Sequence, residues 1–323
     1  MDYRTLGNSD LPLSTLGFGC GAIGGLLVRG DYPTMRQVVA RAIELGVTYF
    51  DTASLYGNGQ SEVNLGAVLR ELQADVIVGT KVRIVHVEQL TDIAQTVTAS
   101  VEGSLRRLGR ESVDLIQFHN RIGQQRDLDG SQVTLDDLAV VVETFQQLAQ
   151  AGKVRYWGIT GLGETAVLHQ AVASGGLHSV QACYNLLNPS AGNSVDANFP
   201  FQDYGQLIDR AADQGMGVIA IRVLAGGALS GTTARHPVAA QSVNPIATAE
   251  NYADDVAAVQ RFGWLVDEGV TTSLAEAAIR FVISHPAVST ALVGVSNLEQ
   301  LEQAVAAVNH GPLPSESLAR SLR

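Results

Sequence analysis

A carboxylate and a phenol stand five residues apart in Phe50-Asp51-Thr52-Ala53-Ser54-Leu55-Tyr56-Gly57. Tyr49 and Phe50 favour extended backbone, whereas Gly57, Asn58 and Gly59 are turn formers, so Asp51 is expected at the exit of a strand and Tyr56 on the loop beyond it. In α/β proteins that rim carries the sites. Lys81 ends the run Val76-Ile77-Val78-Gly79-Thr80, and His119 ends Asp114-Leu115-Ile116-Gln117-Phe118. Taken singly, Lys81 reads as a solvated charge and His119 as a satisfied core histidine. Successive strand ends that each deliver one polar group argue instead for a shared site. Asp51 would keep Lys81 charged and aimed, and the ammonium beside Tyr56 is expected to lower its pKa from the usual value near ~10. The chemistry this predicts is proton transfer by a phenol.

Positioning these groups requires a regular scaffold, and the chain supplies alternating β-like and helix-like segments. Strands are predicted at 16–19, 48–50, 76–80, 113–119, 154–159, 179–184, 217–221 and 290–293. Amphipathic helices are predicted at 35–45, 62–72, 90–108, 135–151, 165–174, 204–214, 274–284 and 298–308. Runs such as Val218-Ile219-Ala220-Ile221 read as strands buried on both faces, as in parallel sheets. With no break in composition and no Pro- or Ser-rich linker, the expectation is an α/β protein, a (β/α)8 TIM barrel forming one domain over residues 1–323, with an open doubly wound sheet as the alternative. Two long irregular stretches, 120–134 and 224–251, would overhang the rim and carry substrate selectivity.

Composition narrows the class. Hydrophobic residues at 46% and charged residues at 16% suit a large globular core. A net charge of -11 argues against a general nucleic-acid or anionic-membrane binder. The start lacks a signal-peptide core, and no apolar run reaches the ~20 residues of a membrane helix, so a cytoplasmic protein is expected. Cys20 and Cys183 read as buried thiols rather than a disulfide framework. The histidines other than His119 are scattered without metal-ligand spacing, and no metal is expected. Gly19-Cys20-Gly21-Ala22-Ile23-Gly24 matches GxGxxG, but residues 26–33 are expected to continue as loop, whereas a dinucleotide fingerprint opens a helix there. The glycines more plausibly let a loop pass close under a ligand.

The octapeptide, with Lys81 and His119 at strand ends, resembles the aldo-keto reductase superfamily. The likeness runs from Tyr3-Arg4-Thr5-Leu6-Gly7, similar to the family's opening hairpin, through Gly152-Lys153-Val154-Arg155-Tyr156-Trp157-Gly158-Ile159, to Val293-Gly294-Val295-Ser296. The resemblance implies a (β/α)8 barrel that binds an extended nicotinamide cofactor, with Asp51, Tyr56, Lys81 and His119 as the catalytic tetrad. Tyr56 would move the proton and His119 would orient the substrate oxygen. The resemblance further implies a cofactor cleft lined by Gly21, Asp51, Thr160, Gln181, Ile221, Arg222, Leu224, Gly226, Gly294, Ser296, Gln300 and Gln303.

Departures from the family pattern carry information. Thr160-Gly161 stands where Ser-Asn is usual, while Gln181 is retained for the carboxamide. Ile221 replaces a stacking aromatic, and Arg222 replaces a serine, where it would meet the pyrophosphate or form a structural salt bridge. Residues 292–308 resemble the adenosine-phosphate clamp yet contain no Lys or Arg, and Ala304 replaces an adenine-contacting Asn, which predicts NAD over NADP. The Ile159-Thr160-Gly161-Leu162 variant and the ending 291–296 are similar to the L-galactose and D-threo-aldose dehydrogenase branch, which implies oxidation of a sugar at C1; a general or pyridoxal-type aldehyde reductase is the alternative. Asn120 would suit a hydroxylated substrate. The partner is a small carbonyl or alcohol, with no nucleic acid and no membrane. Two readings of other classes are a Schiff-base aldolase using Lys81 and a nucleotide-binding, redox-sensing subunit.

Overall fold

The structure is a computed structural model that describes residues 1–323. The chain opens with a hairpin, β1 (Tyr3–Thr5) against β2 (Pro12–Ser14). It then builds β3 (Leu16–Gly19), β4 (Tyr49–Asp51), β5 (Ile77–Val82) and β6 (Val113–Phe118). A small excursion, β7 (Arg121–Ile122) beside β8 (Gln132–Val133), precedes β9 (Val154–Thr160), β10 (Ser179–Cys183), β11 (Gly217–Ile221) and β12 (Val288–Gly294). Eight of these strands, β3 to β6 and β9 to β12, close into a parallel barrel in sequence order, and β12 returns to β3. Closure excludes the open-sheet alternative.

Residues alternate inward and outward along each strand, and the inward set is layered. Leu11 and Leu13 of the hairpin pack with Tyr49, Leu115 and Ile219 to seal the floor. Arg4 fastens the hairpin by donating to the carbonyls of Ile283 at 2.9 Å, His285 at 3.1 Å and Val288 at 2.6 Å. Above the floor the interior turns polar, with Asp51, Lys81, Gln117, Ser179 and Gln181 buried. Outward strand residues such as Val78, Ile116 and Ala220 meet the apolar stripes of the surrounding helices in one continuous core. No helix is long and apolar enough to cross a membrane, and both cysteines are free and buried.

The departures from expectation are local. Residues 26–33 are not all loop: Leu26–Arg29 forms one helical turn, and a helix then runs Tyr32–Glu44 because Asp31 caps it through the Thr34 N–H at 2.9 Å. The helix expected over 90–108 is broken at Asp92, whose side chain caps Ile93–Leu108 and leaves Val87–Thr91 as a 3-10 turn. A C-terminal helix, Ser315–Ser321, was not anticipated. Both long stretches do lie at the rim. The first contains β7 and β8. The second crosses to the loop after β3, where the Ala240 N–H donates to the Ile23 carbonyl at 3.0 Å and Arg29 Nε to the Val238 carbonyl at 2.7 Å.

Candidate active site

β4 ends on Asp51, which lies beside Gly79 of β5; Lys81, two residues further and on the same face, therefore projects just above the carboxylate. Its ammonium donates to Asp51 Oδ1 and to the Thr52 carbonyl at 2.7 Å. The other oxygen, Oδ2, accepts from Gln181 Nε2 at 2.7 Å and from the Tyr49 hydroxyl at 2.9 Å. The loop beyond β4 brings Tyr56 back over this pair, with Lys81 Nζ 4.9 Å from the ring centroid. His119, one residue past β6, meets Tyr56 edge-on, ring centroids 6.4 Å apart and planes at 89°. All four residues singled out in the sequence thus converge on one end of the barrel.

The electrostatics differ from expectation at one group. Burial works most strongly against a charged Lys81, but Asp51 and Tyr56 together outweigh it, so the ammonium holds its proton more tightly than a free lysine. That disfavours the Schiff-base reading, which needs a neutral amine. Tyr56 was expected to be lowered by Lys81. Instead burial raises it, Lys81 opposes that only in part, and Asp51 adds to the rise, so the phenol is protonated at neutral pH. The spacing revealed the cation but not the cost of desolvating a phenolate. His119 is held neutral, its pKa pushed down to about 3 by burial and by the charges of Lys81 and Arg83. Its Nδ1 is buried and has no hydrogen-bond partner.

Asn120 does not face a substrate. It is fully buried, accepts from the Ile84 N–H at 2.8 Å and donates to the carbonyls of Ile84 at 2.9 Å and Gly130 at 3.0 Å, tying two rim loops together. Gly21 of the GxGxxG stretch lies against the phenol: a Cβ there would stand 3.3 Å from Tyr56 Cε2. Its lack of a side chain lets this loop floor the cleft beside Tyr56.

The residues implied for cofactor binding fall into three groups. Thr160 and Gln181 are side by side, Thr160 Oγ1 donating to Gln181 Oε1 at 3.3 Å, with Ile221 on the neighbouring β11. Gln181 Oε1 has a second lone pair free for an amide donor, which fits a carboxamide. Arg222 follows β11 in a left-handed conformation, φ 57°, and leads into the turn that carries Leu224 and Gly226. It forms no salt bridge; Nη1 donates to the Asn244 carbonyl at 3.2 Å, so the guanidinium is free to meet a phosphate. The third group is at the end of β12. Gly294 pairs with Gly19, Ser296 Oγ donates to the Gly24 carbonyl at 2.7 Å, and the Ser296 N–H donates to Gln300 Oε1 at 2.8 Å. Gln303 is exposed and donates to Glu299 at 3.1 Å, while Ala304 is buried in the core rather than on the cleft surface. The open acceptor on Gln181 and the unpaired Arg222 fit an extended dinucleotide.

Comparison with known proteins agrees with this geometry. The profile of the Aldo/keto reductase family matches residues 15–321. The chain belongs to that family. It is 28% identical to L-galactose dehydrogenase of Arabidopsis thaliana over 95% of this chain and 88% of that one. It is 27% identical to L-glyceraldehyde 3-phosphate reductase of Escherichia coli O157:H7, covering 99% and 91%. Among solved structures, the holo form of aldo-keto reductase AKR11C1 from Bacillus halodurans superposes with a TM-score of 0.71 at 27% identity, covering 100% of this chain and 97% of that one. The protein is therefore an aldo-keto reductase-type oxidoreductase.

Sequence reasoning missed Tyr49. Alternation from Asp51 does point it inward, but an aromatic in a strand reads as packing, and nothing in the spacing revealed that its hydroxyl reaches the carboxylate.

Proposed function

We propose that this chain is an NAD-dependent dehydrogenase or reductase acting on a small hydroxylated aldehyde or the matching alcohol, with an aldose at C1 as the leading substrate class. The observation that carries the chemistry is the stack in which Lys81 lies between Asp51 and Tyr56 while His119 meets the same phenol edge-on. Gln181, Thr160 and Arg222 would hold a nicotinamide cofactor, which when bound would supply or accept the hydride. Tyr56, protonated at neutral pH, gives its proton to the carbonyl oxygen in reduction; in oxidation its phenolate takes the alcohol proton. Lys81 stabilises that phenolate, and Asp51 keeps Lys81 charged. Neutral His119 aligns the substrate oxygen without competing for the proton.

The sugar reading is supported by the two relatives whose names specify sugars or sugar phosphates, L-galactose dehydrogenase and L-glyceraldehyde 3-phosphate reductase. The NAD preference is supported by the helix Leu298–Asn309, which carries Glu299 and Glu302 but no cation. The nearby Arg41 is already paired with Glu302 at 3.1 Å and Glu44 at 3.2 Å, so its charge is engaged rather than open to a 2′-phosphate. The buried free cysteines suit a reducing compartment such as the cytoplasm. The test is a panel of aldoses, pyridoxal and simple aldehydes with their alcohols, followed by nicotinamide absorbance with each cofactor. Turnover of an aldose with NAD is the expected result; turnover of non-sugar aldehydes alone overturns the substrate class.

A further inference from the structure

Tyr49 is fully buried on β4, two residues before Asp51 and on the same inward face. Leu11, Leu13, Leu115 and Ile219 pack with its ring in the layer below the carboxylate. A phenylalanine would fill that space equally well, and a hydroxyl in dry surroundings costs free energy unless it is bonded. The hydroxyl has one partner, Asp51 Oδ2 at 2.9 Å. The neighbouring strand makes room for it: a Cβ on Gly79 would lie 2.5 Å from the Tyr49 oxygen and 3.0 Å from its ring. An aromatic with its hydroxyl and a facing glycine therefore form one device, aimed at the carboxylate.

We propose that Tyr49, seated by Gly79, is a positioning residue that fixes Asp51 and thereby sets how readily Tyr56 gives up its proton. With Lys81 on Oδ1 and both Tyr49 and Gln181 on Oδ2, the carboxylate plane is locked and its charge is partly neutralised. That matters because the Asp51 charge raises Tyr56. Without the Tyr49 hydroxyl, more of the charge is felt at Tyr56 and the phenolate becomes harder to form. Tyr49 itself stays a donor, since burial and the adjacent carboxylate push its own ionisation far upward.

In the oxidoreductase reading above, this control acts on the reacting proton, yet it can be measured without turnover. The full-length protein and its Tyr49→Phe and Gly79→Ala variants are taken through stopped-flow pH jumps that read phenolate absorbance before the chain unfolds. Subtracting the same traces with Tyr56→Phe isolates Tyr56. Tyr49→Phe is expected to move the Tyr56 midpoint up by about 0.5 unit, and Gly79→Ala to move it the same way by displacing the hydroxyl. In the Tyr49→Phe background Gly79→Ala should add no further shift, because the hydroxyl it displaces is gone. With 4-nitrobenzaldehyde and NADH as the kinetic probe, kcat should fall by up to about threefold, the most that a shift of about 0.5 unit can impose on proton donation, while KM stays within about 1.5-fold. An unchanged Tyr56 midpoint in a Tyr49→Phe protein that melts like the parent overturns the proposal. A shifted midpoint with no carbonyl turnover would uphold the coupling and count against the oxidoreductase reading instead.

Discussion

The Asp51–Lys81 pair inside the barrel and the Glu276–Arg280 pair on the outer helix Leu274–Ile283 are both buried, but their surroundings use hydrogen-bonding capacity differently. Around Glu276 everything is closed. The carboxylate accepts from the Thr272 N–H at 2.9 Å, the Thr272 hydroxyl at 2.6 Å, Arg280 at 3.0 Å and His310 at 2.9 Å. Arg280 donates further to the carbonyls of Val270, Gly311 and Pro312. Around Lys81 the charges are also paired, yet two polar atoms close by are not: His119 Nδ1 and Oε1 of Gln117, the strand neighbour of Lys81, have no partner in the protein. A closed network holds a fold together, whereas one that leaves acceptors and donors open has capacity to spare for a ligand.

Substitutions sharpen the contrast. Tyr56→Phe should lower turnover by about 10²- to 10⁴-fold and leave the melting temperature unchanged, as measured by steady-state kinetics and calorimetry. Retained turnover would remove Tyr56 from its role. Glu276→Gln is its mirror: it strands the Arg280 charge in a buried site, so denaturant unfolding should show a loss of about 3 kcal/mol with kcat unaltered. Equal effects on rate from both variants would erase the distinction between the two networks.

Acid should likewise separate them. Burial alone would raise Glu276, but the bonds from Thr272, His310 and Arg280 win and hold its pKa at about 2. Because the folded value is depressed, the stability it contributes is present above the ordinary carboxylate range and lost as pH falls towards about 2. The Glu276→Gln variant should therefore show a shallower loss of stability with acid than the parent. The smallest effect belongs to the pH profile of catalysis. Tyr56 is raised, so carbonyl reduction should stay flat through neutral pH while alcohol oxidation climbs into the alkaline range. A limb near the usual histidine value would show that His119 is not the neutral group described above.

Much of this was legible in the chain. The eight barrel strands were readable because buried parallel strands are short apolar runs bounded by turns, and their ends differ from expectation by no more than about two residues. The convergence of Asp51, Tyr56, Lys81 and His119 was readable because three strand ends each carried a polar group. What the sequence concealed depended on burial or on partners distant in the chain. Asn120 next to His119 looked like a ligand for hydroxyls, but the backbone turns after β6 and buries its amide in loop contacts. Tyr56 looked lowered because a nearby cation can be inferred from spacing, whereas desolvation cannot. Tyr49 looked like filler because a strand aromatic does not reveal whether its hydroxyl is used.

The hairpin that seals the floor has a consequence for traffic. Leu11 and Leu13 stop the lower end and Arg4 bolts the hairpin to three carbonyls, so the barrel is a vessel with a single door. In the proposed mechanism, every proton that Tyr56 gives up would be replaced through the same mouth that admits the substrate. Reprotonation and substrate entry would then share one queue, and rim loops that select the substrate would also meter the water that resets the phenol.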